Sequence, residues 1–198
     1  HVTTDIFSYD CEEKTAPFCA DFDADGDLDC LVGAYSGLTY YFENVGDASS
    51  FSFSLVTTDF FSHDVGYLAH PYCADIDNDG DLDCFVGEAY GNINYYENQG
   101  SASASSFVLI TTHFFSNDQI NHGAPFFGDM DNDGDLDCLI GSTEYVVNSD
   151  AVYYRNDGTS SNYSFTLATA NDFSQGFFEY SSFDYATNPF CADFTNDG

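Results

Sequence analysis

The sequence predicts an all-β chain of tandem four-stranded antiparallel units, and three observations carry that prediction. First, an acidic nine-residue stretch starts at Asp21, Asp75 and Asp129, each 54 residues after the last. Second, the blocks between these stretches are short, rich in β-branched and aromatic residues, and bounded by Gly, Asn, Asp or Ser, which is how strands and their turns read. Third, no stretch sustains the 3.6-residue periodicity of an amphipathic helix. A fixed period of this length marks one structural unit used repeatedly.

Four strands are expected in each unit. In the second they are 71–74 leading into the acidic stretch, 84–87 leaving it, 93–97, and 107–112. The block Leu55-Val56-Thr57-Thr58-Asp59-Phe60-Phe61-Ser62 recurs at 109–116 and, without its first residue, at 2–8. Phe42-Glu43-Asn44-Val45-Gly46 recurs as Tyr96-Glu97-Asn98-Gln99-Gly100 and Tyr154-Arg155-Asn156-Asp157-Gly158. A lone sheet of this size cannot bury both faces. Copies stacked radially can, as blades of a β-propeller. The expected organisation is one array: 1–10 the last strand of a preceding blade, 15–61, 69–115 and 123–173 three full blades, and 187–198 the start of another. Three blades do not complete a ring, so the reading is a portion of a larger propeller or one segment of a longer repetitive assembly. The third unit is longer, and its insert at 145–150 is either a binding loop or tolerated length.

The acidic stretches have the chemistry of a hard-cation loop. Asp21, Asp23 and Asp25 at positions 1, 3 and 5 converge, Gly26 at position 6 permits a sharp turn, the Asp27 carbonyl at position 7 faces the ion, and Asp29 at position 9 closes the shell. The same roles fall on Asp75, Asp77, Asp79, Asp81 and Asp83, and on Asp129, Asp131, Asp133, Asp135 and Asp137. All-oxygen, flexible, strongly anionic loops favour Ca²⁺ over Mg²⁺, which demands stricter geometry. Solvated Asp-Gly turns are the alternative, but a turn does not require five mutually repelling carboxylates. An EF-hand is excluded, because position 12 is Val32, Val86 or Ile140 and the flanks are strands. A fourth copy begins at Asp193 with Thr195 in place of a carboxylate, and no occupied site is expected there.

Composition narrows the partners. With 34 Asp and Glu against 2 Lys and Arg, the formal charge is −32. Nucleic acid and anionic membrane surfaces both require basic residues and are excluded as partners. No run approaches the ~20 apolar residues of a membrane span, and no signal peptide opens at His1, so a secreted form would be mature or trimmed. Cys19 and Cys30 flank the first acidic stretch, and Cys73 and Cys84 flank the second at the same separation. In a hairpin these positions face one another, and disulfides Cys19–Cys30 and Cys73–Cys84 are predicted. Buried free thiols are the competing reading. Phe127 stands where Cys138 would find its partner, and Cys11 and Cys191 have no assigned pairing. Disulfides and calcium together point outside the cell.

These motifs resemble the FG-GAP and VCBS repeats of integrin-alpha-like β-propellers. The resemblance rests on Asp-x-Asp-x-Asp-Gly-Asp-x-Asp followed by three apolar residues and Gly, and on the Tyr-Tyr-Glu-Asn-x-Gly block. It implies that the loop joins the first two strands of a blade and that calcium stiffens it at one rim. Gly33-Ala34-Tyr35 and Gly87-Glu88-Ala89 depart from the family's usual Gly-Ala-Pro. Members act in adhesion, in glycan binding, in matrix-like assemblies and as non-catalytic modules of secreted enzymes. The function expected here is an extracellular or cell-surface structural and adhesive module whose partners are proteins, glycans or copies of itself in a polymer. A lectin-like alternative would stack Tyr35, Tyr67, Tyr90 or Tyr145 on sugars, although aromatics packed between blades explain the same residues. Asn162-Tyr163-Ser164 is an N-glycosylation sequon, and the Ser-rich tracts 48–54, 101–106 and 159–164 are O-glycan sites or plain turns. His63, His70, His113 and His122 form no catalytic arrangement in the sequence, so no enzymatic activity is expected.

Overall fold

The computed structural model describes residues 6–115, 123–141 and 151–168. Among them are twelve strands and no helix. β1 (Ala16–Ala20), β2 (Asp29–Gly33), β3 (Thr39–Asn44) and β4 (Phe53–Thr57) form the first sheet. β5 (His70–Ala74), β6 (Asp83–Gly87), β7 (Ile93–Asn98) and β8 (Phe107–Thr111) form the second. β9 (Ala124–Gly128), β10 (Asp137–Gly141), β11 (Ala151–Asn156) and β12 (Phe165–Leu167) form the third. In each sheet the spatial order is the chain order and all neighbours are antiparallel, so every sheet is a meander. These are propeller-like blades in tandem.

The sheets bury their faces against each other. Leu31 and Phe22 of the first unit share a core with Cys73, Cys84, Val86 and Tyr96 of the second. Phe85, Ile93 and Tyr95 of the second share one with Phe127, Cys138, Ile140 and Tyr154 of the third. The second strand of each sheet is buried along its whole length, as expected for a strand covered on both faces. Along the first strands, equivalent rings form a column: Phe18 to Tyr72 at 4.9 Å, then Tyr72 to Phe126 at 5.4 Å.

The segment after each fourth strand carries a second aromatic device. Phe61 stacks on Tyr96 of the next sheet at 4.2 Å, and Phe115 on Tyr154 at 4.1 Å. Phe7 occupies the same place over Phe42 at 4.4 Å. The sequence reads 1–10 as the last strand of a preceding blade. Residues 1–5 lie outside the described residues, and 6–10 contain bends and no strand. They match 60–64, which follow β4 rather than belong to it. The carboxylate of Glu12 anchors this segment by accepting bonds from the Ser36 N–H (3.0 Å) and the Tyr40 hydroxyl (2.9 Å).

In the first two sheets the glycine closing the second strand has a steric cause. A Cβ on Gly33 would lie 2.0 Å from the Ala69 carbonyl oxygen, and one on Gly87 would lie 1.8 Å from that of Gly123. The linker into the next sheet therefore crosses a bare backbone. The insert at 145–150 with Tyr145, the proposed blade start 187–198, the fourth acidic copy, Cys191 and His122 lie outside the described residues.

Candidate metal centres

Each acidic stretch is the hairpin loop between the first two strands of its sheet. At position 4, Ala24, Asn78 and Asn132 have φ of 61°, 59° and 62°. At position 6, Gly26, Gly80 and Gly134 have φ of 97°, 95° and 95°. A Cβ on these glycines would meet nothing within 4 Å, so glycine is needed there for its backbone angles alone. Position 1 holds the turn together. Asp75 accepts bonds from the N–H groups of Asp79 and Gly80, both at 3.0 Å. Asp21 receives Asp25 and Gly26 at 3.2 and 3.1 Å, and Asp129 receives Asp133 and Gly134 at 3.1 and 3.0 Å.

The carboxylates converge. Asp21, Asp23 and Asp25 each offer an oxygen within 4.8 Å of the others, as do Asp75, Asp77 and Asp79, and Asp129, Asp131 and Asp137. Position 9 has a second task. Asp137 Oδ1 accepts from the Asn156 N–H (2.8 Å), while Oδ2 accepts from the Met130 N–H (3.1 Å) and the Tyr153 hydroxyl (2.8 Å). Asp29 repeats this with Asn44, Phe22 and Tyr41, and Asp83 is bonded by Asn98 and Tyr95. The ninth carboxylate thus ties the loop to the third strand.

At position 7, where the sequence assigns the carbonyl, the side chain is buried as well. Asp27, Asp81 and Asp135 are 6%, 8% and 6% exposed, and Oδ1 of each is buried with no hydrogen-bond partner. A buried carboxylate oxygen left unpaired is costly, and the same orphan occurs in all three loops. Asp77 Oδ1 is a further one. Burial, with the neighbouring carboxylates adding to it, pushes Asp81 above the ordinary carboxylate range and Asp135 to about 6. Burial raises Asp83 to about 7, against the Asn98 N–H, which lowers it. Asp23, Asp27, Asp77 and Asp131 are raised too, with burial the first cause. Neutralisation is what these sites lack. The residues present fit a divalent cation: converging carboxylates, orphaned buried oxygens and a turn already closed.

Strand register pairs Cys19 with Cys30 and Cys73 with Cys84. Both pairs are disulfide-bonded across Cα separations of 4.1 Å, and each clamps the base of its acidic loop. In the third sheet Cys138 stands opposite Phe127, whose ring packs on Phe85 at 4.2 Å. The Cys138 thiol is buried there, and burial raises it well above the usual thiol range. Asn162 lies in the exposed turn between β11 and β12 and bonds Thr159 through the backbone.

Sequence reasoning passed over the asparagine of the Glu-Asn-x-Gly block. Asn44 Oδ1 accepts from the Gly46 and Ser52 N–H groups, Asn98 Oδ1 from Gly100 and Ser106, and Asn156 Oδ1 from Gly158 and Ser164. On the other side, the Asn44 and Asn98 side chains lie by the position-7 carboxylates Asp27 and Asp81 and act to lower them against burial, and Asn156 Nδ2 is buried without a partner. The recurrence of this residue beside the acidic repeat was the available signal.

With this geometry in hand, the family described as FG-GAP-like repeat matches the chain twice, over residues 21–86 and 75–140. The two matches run on from 21 to 140, more than half of the chain. Each spans one acidic loop to the second strand of the next sheet. No curated protein matches the chain.

Proposed function

This chain belongs to the FG-GAP-like repeat family, and from that premise we propose an extracellular, calcium-stabilised repeat module with a structural or adhesive role in a larger surface or fibrous assembly. The orphaned, buried position-7 oxygens carry the calcium reading. Asp21, Asp23, Asp25 and Asp27 would hold one ion, Asp75, Asp77, Asp79 and Asp81 a second, and Asp129, Asp131, Asp135 and Asp137 a third. The ion supplies charge neutralisation and cross-links each loop. The protein residues close the turn, orient the carboxylates and tie them to the third strand. Two disulfides and a charge of −32 support the extracellular setting. Among the described residues no helix is long and apolar enough to cross a membrane. The role is binding rather than catalysis.

Titration calorimetry in calcium tests the first half of this reading. Three ions per chain are expected, with millimolar to sub-millimolar affinity typical of extracellular modules, and the triple variant Asp27→Asn, Asp81→Asn, Asp135→Asn should weaken all three. Beads coated with the protein test the second half. They should cohere in 2 mM calcium, about the extracellular level, and disperse in EGTA. Absence of calcium binding ends the first half, and dispersed beads in calcium end the second.

A glycan-binding reading has its own observation. Tyr35, Tyr67 and Tyr90 are 46%, 50% and 69% exposed, and the Tyr35 and Tyr67 rings lie 5.7 Å apart on adjoining turns. Such rings suit stacking on sugar faces. Glycan-array binding lost in Tyr35→Ala with Tyr67→Ala would favour it.

A further inference from the structure

The junction between the first and second sheets holds a cleft of about 520 Å³ beside two of the acidic loops. Its apolar walls are Ala20, Phe22 and Leu28 from the first unit and Leu82, Ala102 and Phe107 from the second. Asp21, Asp75 and Asp81 give it an anionic edge. Leu28 is 57% exposed.

The repeat itself shows what complements this place. Ser105 lines the cleft, one residue before Ser106, whose N–H bonds Asn98. The residue in the same register of the third sheet, one before Ser164, is Tyr163. Its ring reaches back to the preceding unit and packs against Tyr95 at 6.4 Å and Phe114 at 5.7 Å. In the first sheet the corresponding residue is Phe51. The third repeat thus packs its own aromatic ring on the preceding unit, while Phe51 of the first, 63% exposed, lies 5.7 Å from Phe53 of its own sheet. The second supplies a serine and leaves room.

We propose that the cleft lined by Ser105 and Leu28 receives an aromatic side chain of a partner protein, flanked there by a lysine or arginine. The missing ring specifies the aromatic. The acidic edge specifies the neighbour, because five carboxylates per loop outnumber the charge of one divalent ion and the edge stays anionic with metal bound. Volume and lining match the general character of small-ligand sites, mostly apolar with a few polar groups. This inference does not rest on the adhesive reading above, and it holds with or without calcium in the loops.

The test is an amide-resolved NMR titration of the full chain in 2 mM calcium with tyramine, p-cresol and 4-hydroxyphenylacetate as probes. Tyramine and p-cresol should shift Ala24, Leu28, Ala102 and Ser105, and the anionic probe should bind at least threefold more weakly than tyramine. Ser105→Tyr, which fills the cleft from within at an exposed position, should weaken tyramine binding at least tenfold. Leu28→Ser should weaken it several-fold. Both sites are exposed, so the fold is retained, and an unchanged spectrum elsewhere verifies that. Tyramine shifts centred on Tyr35, Tyr67 and Tyr90 would overturn the proposal. So would equal binding of the anionic probe, indifference to Ser105→Tyr, or N-acetylglucosamine displacing tyramine from the cleft.

Discussion

Two glycines one loop apart should fail for different reasons and by different amounts. Gly33→Ala places a Cβ 2.0 Å from the Ala69 carbonyl oxygen and 2.7 Å from Pro71 Cδ. Real Cβ atoms keep at least 3.0 Å, so strand and linker must part by roughly 1 Å. That movement pulls on the linker's hydrogen bonds, Ala69 N–H to Ala34 O and Leu68 N–H to Tyr35 O, both 3.1 Å. Overpacking costs ~1–3 kcal/mol and two weakened bonds about 0.5–1.5 kcal/mol each. The expected loss is roughly 2–6 kcal/mol. Gly80→Ala meets no atom within 4 Å but sits at φ 95°, so only backbone strain of ~1–2 kcal/mol applies. Urea unfolding in saturating calcium reads both. A calcium titration separates them further, since Gly80→Ala distorts one loop and weakens one ion, whereas Gly33→Ala leaves per-site affinity unchanged. Equal losses, or a larger loss for Gly80→Ala, would refute the assignment of close approach to one glycine and backbone angle to the other.

Chelation should lower the melting temperature. At 2 mM calcium and a dissociation constant of ~10⁻⁴ M, each site contributes about 1.8 kcal/mol and three sites about 5 kcal/mol, or roughly 10–20 °C for a chain of this size; a shift under 3 °C in EGTA would contradict it. The pH dependence of the metal-free protein should run opposite to that of the loaded one. Asp83 and Asp135 are raised to about 7 and about 6, so the folded state holds more protons than the unfolded one, and stability falls as pH rises from about 4 to about 7. With calcium the ion displaces the proton of Asp135 and its charge disfavours the one on Asp83, and acidification is what destabilises. Thermal melts from pH 4 to 8 in EGTA and in calcium should show the two opposite slopes. Reducing Cys19–Cys30 or Cys73–Cys84, each closing an 11-residue separation, should cost ~3 kcal/mol per bond. Before unfolding, the buried Cys138 thiol should resist iodoacetamide while the newly reduced Cys19 reacts.

What the sequence made legible was set by short-range geometry. The strand bounds followed from the acidic hairpins because a loop of known length between two apolar runs leaves few registers. The Cys19–Cys30 pairing followed from the same register, since residues equidistant from a hairpin tip face each other. Inter-sheet partners were not legible. Phe61 on Tyr96 and Phe18 on Tyr72 are contacts between aromatics in a chain with 21 Phe and 15 Tyr, and periodicity cannot say which ring meets which. The burial of the position-7 side chains, and the unpaired oxygen each carries, were not legible for a related reason, since burial there is set by residues such as Asn98 that arrive from another strand.

That dependence joins the two motifs that recur along the chain. The acidic loop and the Glu-Asn-x-Gly block are separate in sequence, yet one asparagine bridges them. Its backbone N–H bonds the ninth carboxylate, and its side-chain oxygen accepts two N–H groups of the Ser-rich turn between the third and fourth strands. In the first two sheets its amide also meets the seventh carboxylate. The rim loop and the outer turn of each blade are therefore held by a single residue, through its backbone N–H on one side and its side-chain oxygen on the other. Asp and Ser cannot replace it, because neither presents a donor and an acceptor in fixed opposition. A change of charge in the loop consequently reaches the outer turn through one residue, and the recurrence of that residue at the same distance behind each acidic loop follows from this geometry.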